Sequence, residues 1–286
     1  MVKFNNIFHT YNSDILSHAV TALKNINFEI QPNKITGFLG ANGAGKTTCI
    51  KILLKLINPS KGEVEFHPSM GQSFFEINQN IGYMPERAYY YPSLKGLEFI
   101  FYMGQLSKLK PTEIADGIKK WAPVVGLRDE ALKRSIRTYS KGMLQRLELL
   151  VTVIHDPKFI ILDEPASGLD PVGRKEVKDL LVRLNSEGKT ILFTTHVVSD
   201  IEDICHNVIF LKNHEVFFNG KLEDIIQSGI SNYFQITFLD ANKKLITQKI
   251  EKSQKDKIIS EILEKKFEIY SLTPIQKSLE EVIFDV

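Results

Sequence analysis

The feature that most constrains this chain is a glycine-rich segment close to its N-terminus. Residues Gly40 to Thr47 fit the pattern Gly-x-x-x-x-Gly-Lys-Thr. The segment from Lys34 to Leu39 before it is predicted to be extended, and apolar residues over positions 50–57 recur at the i, i+3, i+4, i+7 spacing of a helix. That helix is predicted to stop at Asn58-Pro59. The glycines therefore join a strand to a helix.

A loop of this composition between a strand and a helix is suited to holding phosphates. Glycines let successive backbone N–H groups point at an anion, and the following helix adds its positive N-terminal end. Lys46 supplies a mobile positive charge for β- and γ-phosphates, and the Thr47 hydroxyl can bind Mg²⁺. A glycine-rich turn that only packs is the alternative, and the Lys-Thr ending with its flanks argues against it.

A second candidate site element follows the apolar run Phe159 to Leu162, which is typical of a strand buried on both faces of a parallel sheet. Asp163 and Glu164 come directly after it. Ligands of open parallel sheets gather beyond the carboxyl ends of the strands, so Asp163 is placed to hold Mg²⁺ and Glu164 to polarise an attacking water. Further strands are predicted at Thr190–Thr195 and Val208–Leu211. Strands alternating with helices predict an α/β fold with a mostly parallel sheet.

Two regions differ from the rest of the chain in their pattern of apolar and polar residues. Residues 88–155 carry apolar residues at helical spacing and are predicted to be a helical insert, whose last helix has Ser140 as its N-cap. We predict a main domain over residues 1–228 and a small C-terminal α+β appendage over 229–286. The appendage is predicted to begin with a hairpin of two strands, 233–239 and 244–250. A charged helix over 253–266, a strand over 267–271 and a last helix over 275–284 are predicted to follow.

Composition narrows the class of protein without naming a partner. The 286 residues are 43% hydrophobic and 24% charged, a composition that excludes a disordered, collagenous or coiled-coil chain. The net charge is only +2, so nucleic acid is not expected as a partner. Cys49 and Cys205 form no disulfide framework, which fits a reducing compartment. No signal peptide is expected, and the longest apolar candidate, residues 147–154, is too short to span a bilayer. We expect a soluble, cytoplasmic protein.

These segments together resemble the ATP-binding subunit of an ABC transporter, over about residues 1 to 225. The resemblance rests on five stretches: Gly40 to Thr48 as Walker A, Phe159 to Pro165 as Walker B, Ser167 to Asp170 as the D-loop, Thr194-Thr195-His196 as the switch histidine, and Tyr11 as an adenine-stacking aromatic. The resemblance implies the ABC cassette of P-loop NTPases, in which an antiparallel β subdomain joins the parallel sheet and the helical insert.

The resemblance also assigns roles. It implies catalysis by Glu164, with His196 sensing the γ-phosphate, and Mg²⁺ binding by Thr47, Asp163 and Glu86. Glu86 and Asp170 are implied to couple the nucleotide to the partners. ATP binding is implied for Tyr11, Gly40, Ala41, Asn42, Gly43, Ala44, Gly45, Lys46, Thr47 and Thr48.

Two motifs depart from the commonest family form. The signature, usually Leu-Ser-Gly-Gly-Gln, is Tyr139-Ser140-Lys141-Gly142-Met143 here. Ser140 and Gly142 are retained, and the family mechanism has them bind the ATP of a facing subunit. Glu86 stands where the family usually has glutamine. Its oxygens can still reach Mg²⁺, and the alternative is a surface carboxylate in a loop.

In the family mechanism two copies, or this chain and a related ATPase subunit, close around two ATP molecules and drive transport through a separate membrane-spanning subunit. Residues 89–102 with the Glu86 loop are expected to form the docking groove. The ending Ser278 to Phe284 resembles type-two exporter ATPases of the bacitracin or sodium type, which implies export and a position on the inner face of the cell membrane. The alternative is a soluble ABC ATPase acting on ribosomes or nucleic acid; a single Walker A and the absence of a long coiled coil argue against it. An ATP sensor is a third possibility, against which the retained Glu164 argues.

Overall fold

The structure is a computed structural model that describes residues 1–11, 19–228, 230–276 and 279. The chain divides into two compact units, Met1–Gly220 and Lys221–Val286. This division lies eight residues before the domain boundary at 228/229 that the composition predicts.

The described part of the first unit contains two sheets surrounded by helices. Its strands are β1 (Val2–Tyr11), β2 (Val20–Ile30), β3 (Ile35–Gly40), β4 (Lys61–Phe66), β5 (Ile81–Met84), β6 (Phe159–Leu162), β7 (Thr190–Thr195), β8 (Asn207–Lys212) and β9 (Glu215–Lys221). Its helices are α1 (Lys46–Leu53), α2 (Phe74–Gln79), α3 (Gly96–Leu106), α4 (Pro111–Val125), α5 (Asp129–Leu132), α6 (Lys141–Val153), α7 (Pro171–Ser186) and α8 (Val198–Ile204).

The larger sheet has the strand order β5-β6-β7-β3-β8-β9. Pairing is parallel between β5 and β6, β6 and β7, β7 and β3, and β3 and β8. Strands β3, β6 and β7 are buried along their whole length, as expected for strands covered on both faces of a parallel sheet. Because β3 lies between β7 and β8, the glycine-rich loop leaves the sheet next to the carboxyl end of β7.

The smaller sheet is antiparallel, with the order β2-β1-β4, and it confirms the predicted antiparallel subdomain. Its first two strands are long: β1 has 10 residues and β2 has 11. In β1 the side chains of Val2, Phe4, Ile7 and His9 are buried and alternate, with register shifts, with exposed ones. One buried face is enough to specify strands of this length.

Helix α1 ends earlier than its apolar spacing predicts. It stops at Leu53, with Leu54 as C-cap, rather than continuing to Ile57. Lys55 has a left-handed backbone with φ 55°, and the Leu56 N–H bonds to the Lys51 carbonyl at 2.9 Å. This closing turn satisfies the last carbonyls of the helix before the predicted stop is reached.

The helical insert is confirmed, with α3, α4, α5 and α6 lying between residues 96 and 153. Ser140 is the N-cap of α6, and its hydroxyl accepts a hydrogen bond from the Met143 N–H at 3.3 Å. Buried residues lie on more than one side of α6, among them Gln145, Leu149 and Leu150. Helix α6 packs against β5, α3 and α4, so more than one side of it is covered.

The contact between α6 and the loop before α3 contains a half-buried carboxyl group. Tyr90 donates a hydrogen bond through its hydroxyl to Glu148 Oε2 at 2.9 Å, while Glu148 Oε1 is buried without a hydrogen-bond partner. Burial raises the pKa of Glu148 to about 7, and the Tyr90 hydrogen bond opposes that rise.

The second unit is a three-stranded antiparallel sheet with its own small core. Its described elements are α9 (Leu222–Ser228), β10 (Ile230–Leu239), β11 (Leu245–Glu251), α10 (Lys255–Glu264) and β12 (Glu268–Gln276), with the strand order β11-β10-β12. The predicted hairpin, charged helix and following strand are confirmed. The predicted start of the last helix at Ile275 is wrong, because β12 continues to Gln276, which pairs with Ile230. The rest of that predicted helix lies outside the described residues, apart from Leu279.

Glu148 makes stability depend on pH. Its pKa in the folded chain lies above the ordinary 4.5, so its contribution to stability is fully present below pH 4.5 and is lost as the pH rises through 7. Glu148→Gln keeps an oxygen for Tyr90 and removes the charge. We expect it to raise the free energy of unfolding at pH 8.5 by about 1–3 kcal/mol, since one pKa unit corresponds to about 1.4 kcal/mol.

Urea unfolding of the unmodified chain and of Glu148→Gln at pH 5 and pH 8.5 measures this effect. Glu202→Gln, on the exposed side of α8, is the matched control. A stability difference between Glu148→Gln and the unmodified chain that is the same at both pH values would show that Glu148 ionisation has no part in it.

Candidate functional site

The glycine-rich loop runs from the end of β3 at Gly40 to the start of α1 at Lys46. Gly45 is the N-cap of α1 and has a φ of 109°. A Cβ atom at this position would lie 2.7 Å from the Ala22 carbonyl oxygen and 2.6 Å from a Leu23 methyl carbon. Only glycine therefore fits here, and the loop lies directly against β2.

Lys46 is buried within this loop, with 8% of its surface exposed. Its ammonium donates hydrogen bonds to the carbonyl oxygens of Gly40 at 2.6 Å and Ala41 at 3.4 Å. Burial lowers the pKa of Lys46, while three nearby carboxylates act in the opposite direction. The loop thus holds a cation at its centre through its own carbonyl groups.

A cavity of about 410 Å³ opens in front of the loop, at the carboxyl ends of the parallel strands. Eleven of the predicted site residues line it, so positions as far apart in sequence as Tyr11 and Glu164 meet here. The lining consists of Tyr11, Val20, Thr21, Ala22, Ala41, Asn42, Gly43, Gly45, Lys46, Thr47, Thr48, Glu86, Asp163, Glu164 and His214.

The two carboxylates that follow β6 are held by one hydroxyl from β7. The Thr194 Oγ1 hydroxyl donates to Asp163 Oδ1 at 2.6 Å and accepts the Glu164 backbone N–H at 2.8 Å. Thr194 is fully buried, so this bridge between neighbouring strands is shielded from water. The sequence pattern names Thr194 only as a neighbour of His196, and this bridging role was missed.

Glu164 has a left-handed backbone with φ 53°, which is unfavourable for a residue other than glycine. Its Oε2 accepts a hydrogen bond from His196 Nδ1 at 3.0 Å. Since a carboxylate only accepts, the hydrogen lies on Nδ1 of the imidazole. His196 is itself more than half exposed, whereas the Glu164 side chain is 13% exposed. The two predicted catalytic side chains are therefore in direct contact.

The site has the donor set and the charge distribution that suit a divalent cation. Burial raises the pKa of Asp163, and the charges of Glu86 and Glu164 add to this rise against the opposing effects of Thr194 and Lys46. Carboxylates that destabilise each other's charge are stabilised by a cation between them. Asp163, Glu86 and the exposed hydroxyl-bearing Thr47 provide the oxygen ligands that Mg²⁺ prefers.

Tyr11 lies at another part of the same cavity. Its hydroxyl is 3.3 Å from Thr48 Oγ1, a hydrogen bond that ties the end of β1 to α1. The imidazole of His9 meets the Tyr11 ring edge-on, with 4.6 Å between ring centroids. About 40% of Tyr11 is exposed, so its ring is fixed at the edge but remains accessible.

Six of the predicted site residues lie outside the cavity lining: Gly40 and Ala44 of the glycine-rich loop, and Ser140, Gly142, Asp170 and His196. Asp170 is the N-cap of α7 and accepts the Gly173 N–H at 2.8 Å. Space is open around Gly142, where a Cβ atom would meet nothing within 4 Å.

Lys141, a departure from the common signature, bonds through its ammonium to the Gly168 carbonyl at 2.6 Å. This hydrogen bond joins the start of α6 to the D-loop, a link that the sequence pattern alone did not predict.

Comparisons with known proteins agree with this geometry. A family model described as ABC transporter matches residues 23–167. An uncharacterized ABC transporter ATP-binding protein of Synechocystis is 38% identical over 214 residues, which is 74% of this chain but only 60% of that protein. The uncharacterized ABC transporter ATP-binding protein MJ1023 of Methanocaldococcus jannaschii is 37% identical, covering 87% of this chain and 90% of its own length.

Among solved structures, a dimeric post-hydrolysis state of the ATP-binding cassette MJ0796, bound to ADP and Pi, superposes with a TM-score of 0.67. The two are 25% identical, and the match covers 78% of this chain and 99% of that one. Sequence, fold and the phosphate loop agree, so this chain belongs to the family of ABC transporter ATP-binding proteins, the ABC ATPases.

Proposed function

We propose that this chain binds ATP with Mg²⁺ in the cavity in front of the glycine-rich loop and hydrolyses it to drive transport through a separate membrane subunit. The observation that carries the proposal is the Thr194 bridge, which holds Asp163 and Glu164 at the cavity that Lys46 also lines. A cation, a candidate metal-binding carboxylate and a candidate general base thus converge at one cavity.

The loop residues and Tyr11 would bind the nucleotide. Lys46 would release its loop carbonyls and pair with the β- and γ-phosphates, where a charge-assisted hydrogen bond is stronger than a bond to a neutral carbonyl. The Tyr11 ring, fixed by Thr48, would stack on the adenine. The remaining ATP contacts would come from Gly40, Ala41, Asn42, Gly43, Ala44, Gly45, Thr47 and Thr48.

Thr47, Asp163 and Glu86 would hold Mg²⁺. When bound, Mg²⁺ neutralises charge on the β- and γ-phosphates. Glu164 would accept a proton from the attacking water, and the Nδ1–H of His196 orients the Glu164 carboxylate for this task. With its hydrogen on Nδ1, a neutral His196 presents Nε2 as an acceptor, and a protonated one presents it as a donor toward the γ-phosphate.

Ser140 and Gly142 would act on the ATP of a second copy or of a related ATPase subunit. Both lie outside the cavity lining of their own chain, and the open space at Gly142 leaves room for a ligand to approach the start of α6. The similar cassette with a TM-score of 0.67 is dimeric, which supports the same arrangement here. Asp170, at the start of α7, would couple association of the two subunits to ATP hydrolysis.

The segment between Glu86 and α3 would dock to the membrane subunit. Tyr89 is 92% exposed, and Tyr91 and Tyr102 are about half exposed and meet edge-on, with 5.6 Å between ring centroids. Tyr90, between them, is anchored on Glu148. An anchored loop that presents aromatic rings is suited to a mixed apolar and polar interface.

No helix among the described residues is long and apolar enough to cross a membrane. The proposed position of the protein is the cytoplasmic face of the cell membrane. Export is the proposed direction, supported by the likeness of its C-terminal ending to type-two exporter ATPases.

Thr194→Val tests the bridge, because valine keeps the shape and removes the hydroxyl. We expect ATP affinity to change little and the ATP hydrolysis rate to fall by about 10- to 100-fold, the usual effect of losing a residue that orients a metal ligand. Thr194→Ser, which keeps the hydroxyl, is the matched control and should retain most of the rate. Steady-state hydrolysis and ATP titration provide both measurements. Equal hydrolysis rates in the valine and serine variants would contradict the role of the bridge.

Glu164→Gln tests the assembly. It removes the proposed base and keeps the contacts of a closed pair, so we expect it to form a dimer with ATP and Mg²⁺ that the unmodified chain forms only transiently. Light scattering with and without ATP measures the mass. Lys46→Ala, introduced into the Glu164→Gln chain, should stay monomeric because it loses ATP binding. A Glu164→Gln chain that stays monomeric in saturating ATP would contradict a pair built from this chain alone.

The docking loop is tested by the double change Tyr89→Ala, Tyr91→Ala. We expect hydrolysis by the isolated chain to stay within about twofold, because neither ring lines the cavity, while recovery of the membrane subunit by pull-down from detergent extracts falls. Tyr270→Ala, an exposed tyrosine of the second unit, is the control and should recover the subunit normally. Undiminished recovery by the double variant would place the docking surface elsewhere.

A further inference from the structure

Besides three residues of β2, the cavity lining includes a histidine that belongs to none of the motifs described above. His214 lies in the two-residue turn, Asn213-His214, that links β8 to β9. Both residues have a left-handed backbone, with φ 53° and 68°. Turns with two positive φ values favour glycine at the second position, so a histidine here carries a conformational cost. Strain at a site-lining residue is a reason to ask what its side chain does.

The imidazole is fixed in place by β2. The His214 carbonyl accepts the Lys24 N–H at 2.8 Å, and His214 Nδ1 is 3.2 Å from the Ala22 carbonyl oxygen. Since that oxygen can only accept, Nδ1 carries the hydrogen. In the neutral ring, Nε2 is then an acceptor without a hydrogen. The turn thus presents an oriented hydrogen-bond acceptor at the cavity.

The neighbours of His214 place it between the two ends of the proposed ATP site. The Ala22 carbonyl oxygen, which holds the imidazole, lies 2.7 Å from the position of a Gly45 Cβ and thus borders the phosphate loop. Two residues earlier in β2, Val20 pairs with Tyr11, the proposed adenine contact. In ATP the sugar connects the base to the phosphates, so it would pass beside Ala22 and His214.

We infer that His214 is a further nucleotide-binding residue whose Nε2 accepts a hydrogen bond from a sugar hydroxyl of ATP. The inference rests on the proposed use of this cavity by ATP. It gives a reason for the strained turn, because glycine would relieve the strain but would remove the acceptor. It also predicts that the site distinguishes nucleotides by their sugar.

The test compares three nucleotides, ATP, 2′-deoxy-ATP and 3′-deoxy-ATP, by equilibrium titration of the full chain with Mg²⁺. We expect the unmodified chain to bind at least one deoxy analogue about three- to tenfold more weakly than ATP, the effect of one neutral hydrogen bond. In His214→Gly that difference should disappear, because ATP binding weakens to the level of the analogue. Asn213→Gly is the matched control: it relaxes the same turn, keeps the imidazole and should keep the difference.

A second variant, His214→Asn, controls for a change in the backbone of the turn in His214→Gly. Asparagine tolerates a positive φ and its amide NH₂ can still donate to the Ala22 carbonyl. Its acceptor oxygen would then lie near the position of the ring carbon Cδ2, short of the position of Nε2. This variant should lose the sugar discrimination as His214→Gly does. Equal weakening of all three nucleotides in the His214 variants, or no weakening, would overturn the sugar contact. Absence of ATP binding by the unmodified chain would overturn the site itself, and with it this inference.

Discussion

The parallel pairing of β6, β7, β3 and β8 is the constraint on which the rest of the site depends. Parallel strands end at the same edge, so residues that follow β3, β6 and β7 must lie together, whatever their separation in sequence. Gly40 and Thr195 are the last residues of β3 and β7, and Asp163 directly follows β6. These strands are buried along their whole length, which keeps this edge in register.

Several energetically unfavourable features lie together at that edge of the sheet, and nearby hydrogen bonds offset part of their cost. A lysine is buried among carbonyl groups, three carboxylates face one cavity, and Glu164 has a left-handed backbone. Each feature is costly alone, because burial penalises charge and sterics penalise positive φ. The Thr194 hydroxyl offsets part of this cost by bonding both to the Asp163 carboxylate and to the Glu164 backbone. The remaining cost is what bound phosphates and a metal ion can relieve.

Local pattern predicted much of this molecule. The strand before the glycine-rich loop, the start of the helix after it, the Ser140 cap and the hairpin around Asp240 all depend on residues close in sequence, and the structure has them where they were expected. The full length of β1 and β2, and the extra buried side of α6, depend on what packs against these elements, which local spacing does not contain.

The interactions that were missed at the site join distant positions. Thr194 reaches Asp163 across 31 positions, Lys141 reaches Gly168 across 27, and His214 reaches Ala22 across 192. Residue type suggested no partner in these cases, because a threonine, a lysine or a histidine has many other uses. They became visible only once the sheet had set the distances.

The link between Lys141 and Gly168 has a mechanical consequence. It ties the first residue of α6 to the loop before α7, so two segments that would touch a second copy in the proposed pair are already linked in the single chain. Association of two proteins loses conformational entropy for every segment that becomes ordered. Here part of that loss is incurred during folding. The proposed closure around nucleotide would therefore lose less conformational entropy at this pair of segments than it would if they were unconnected.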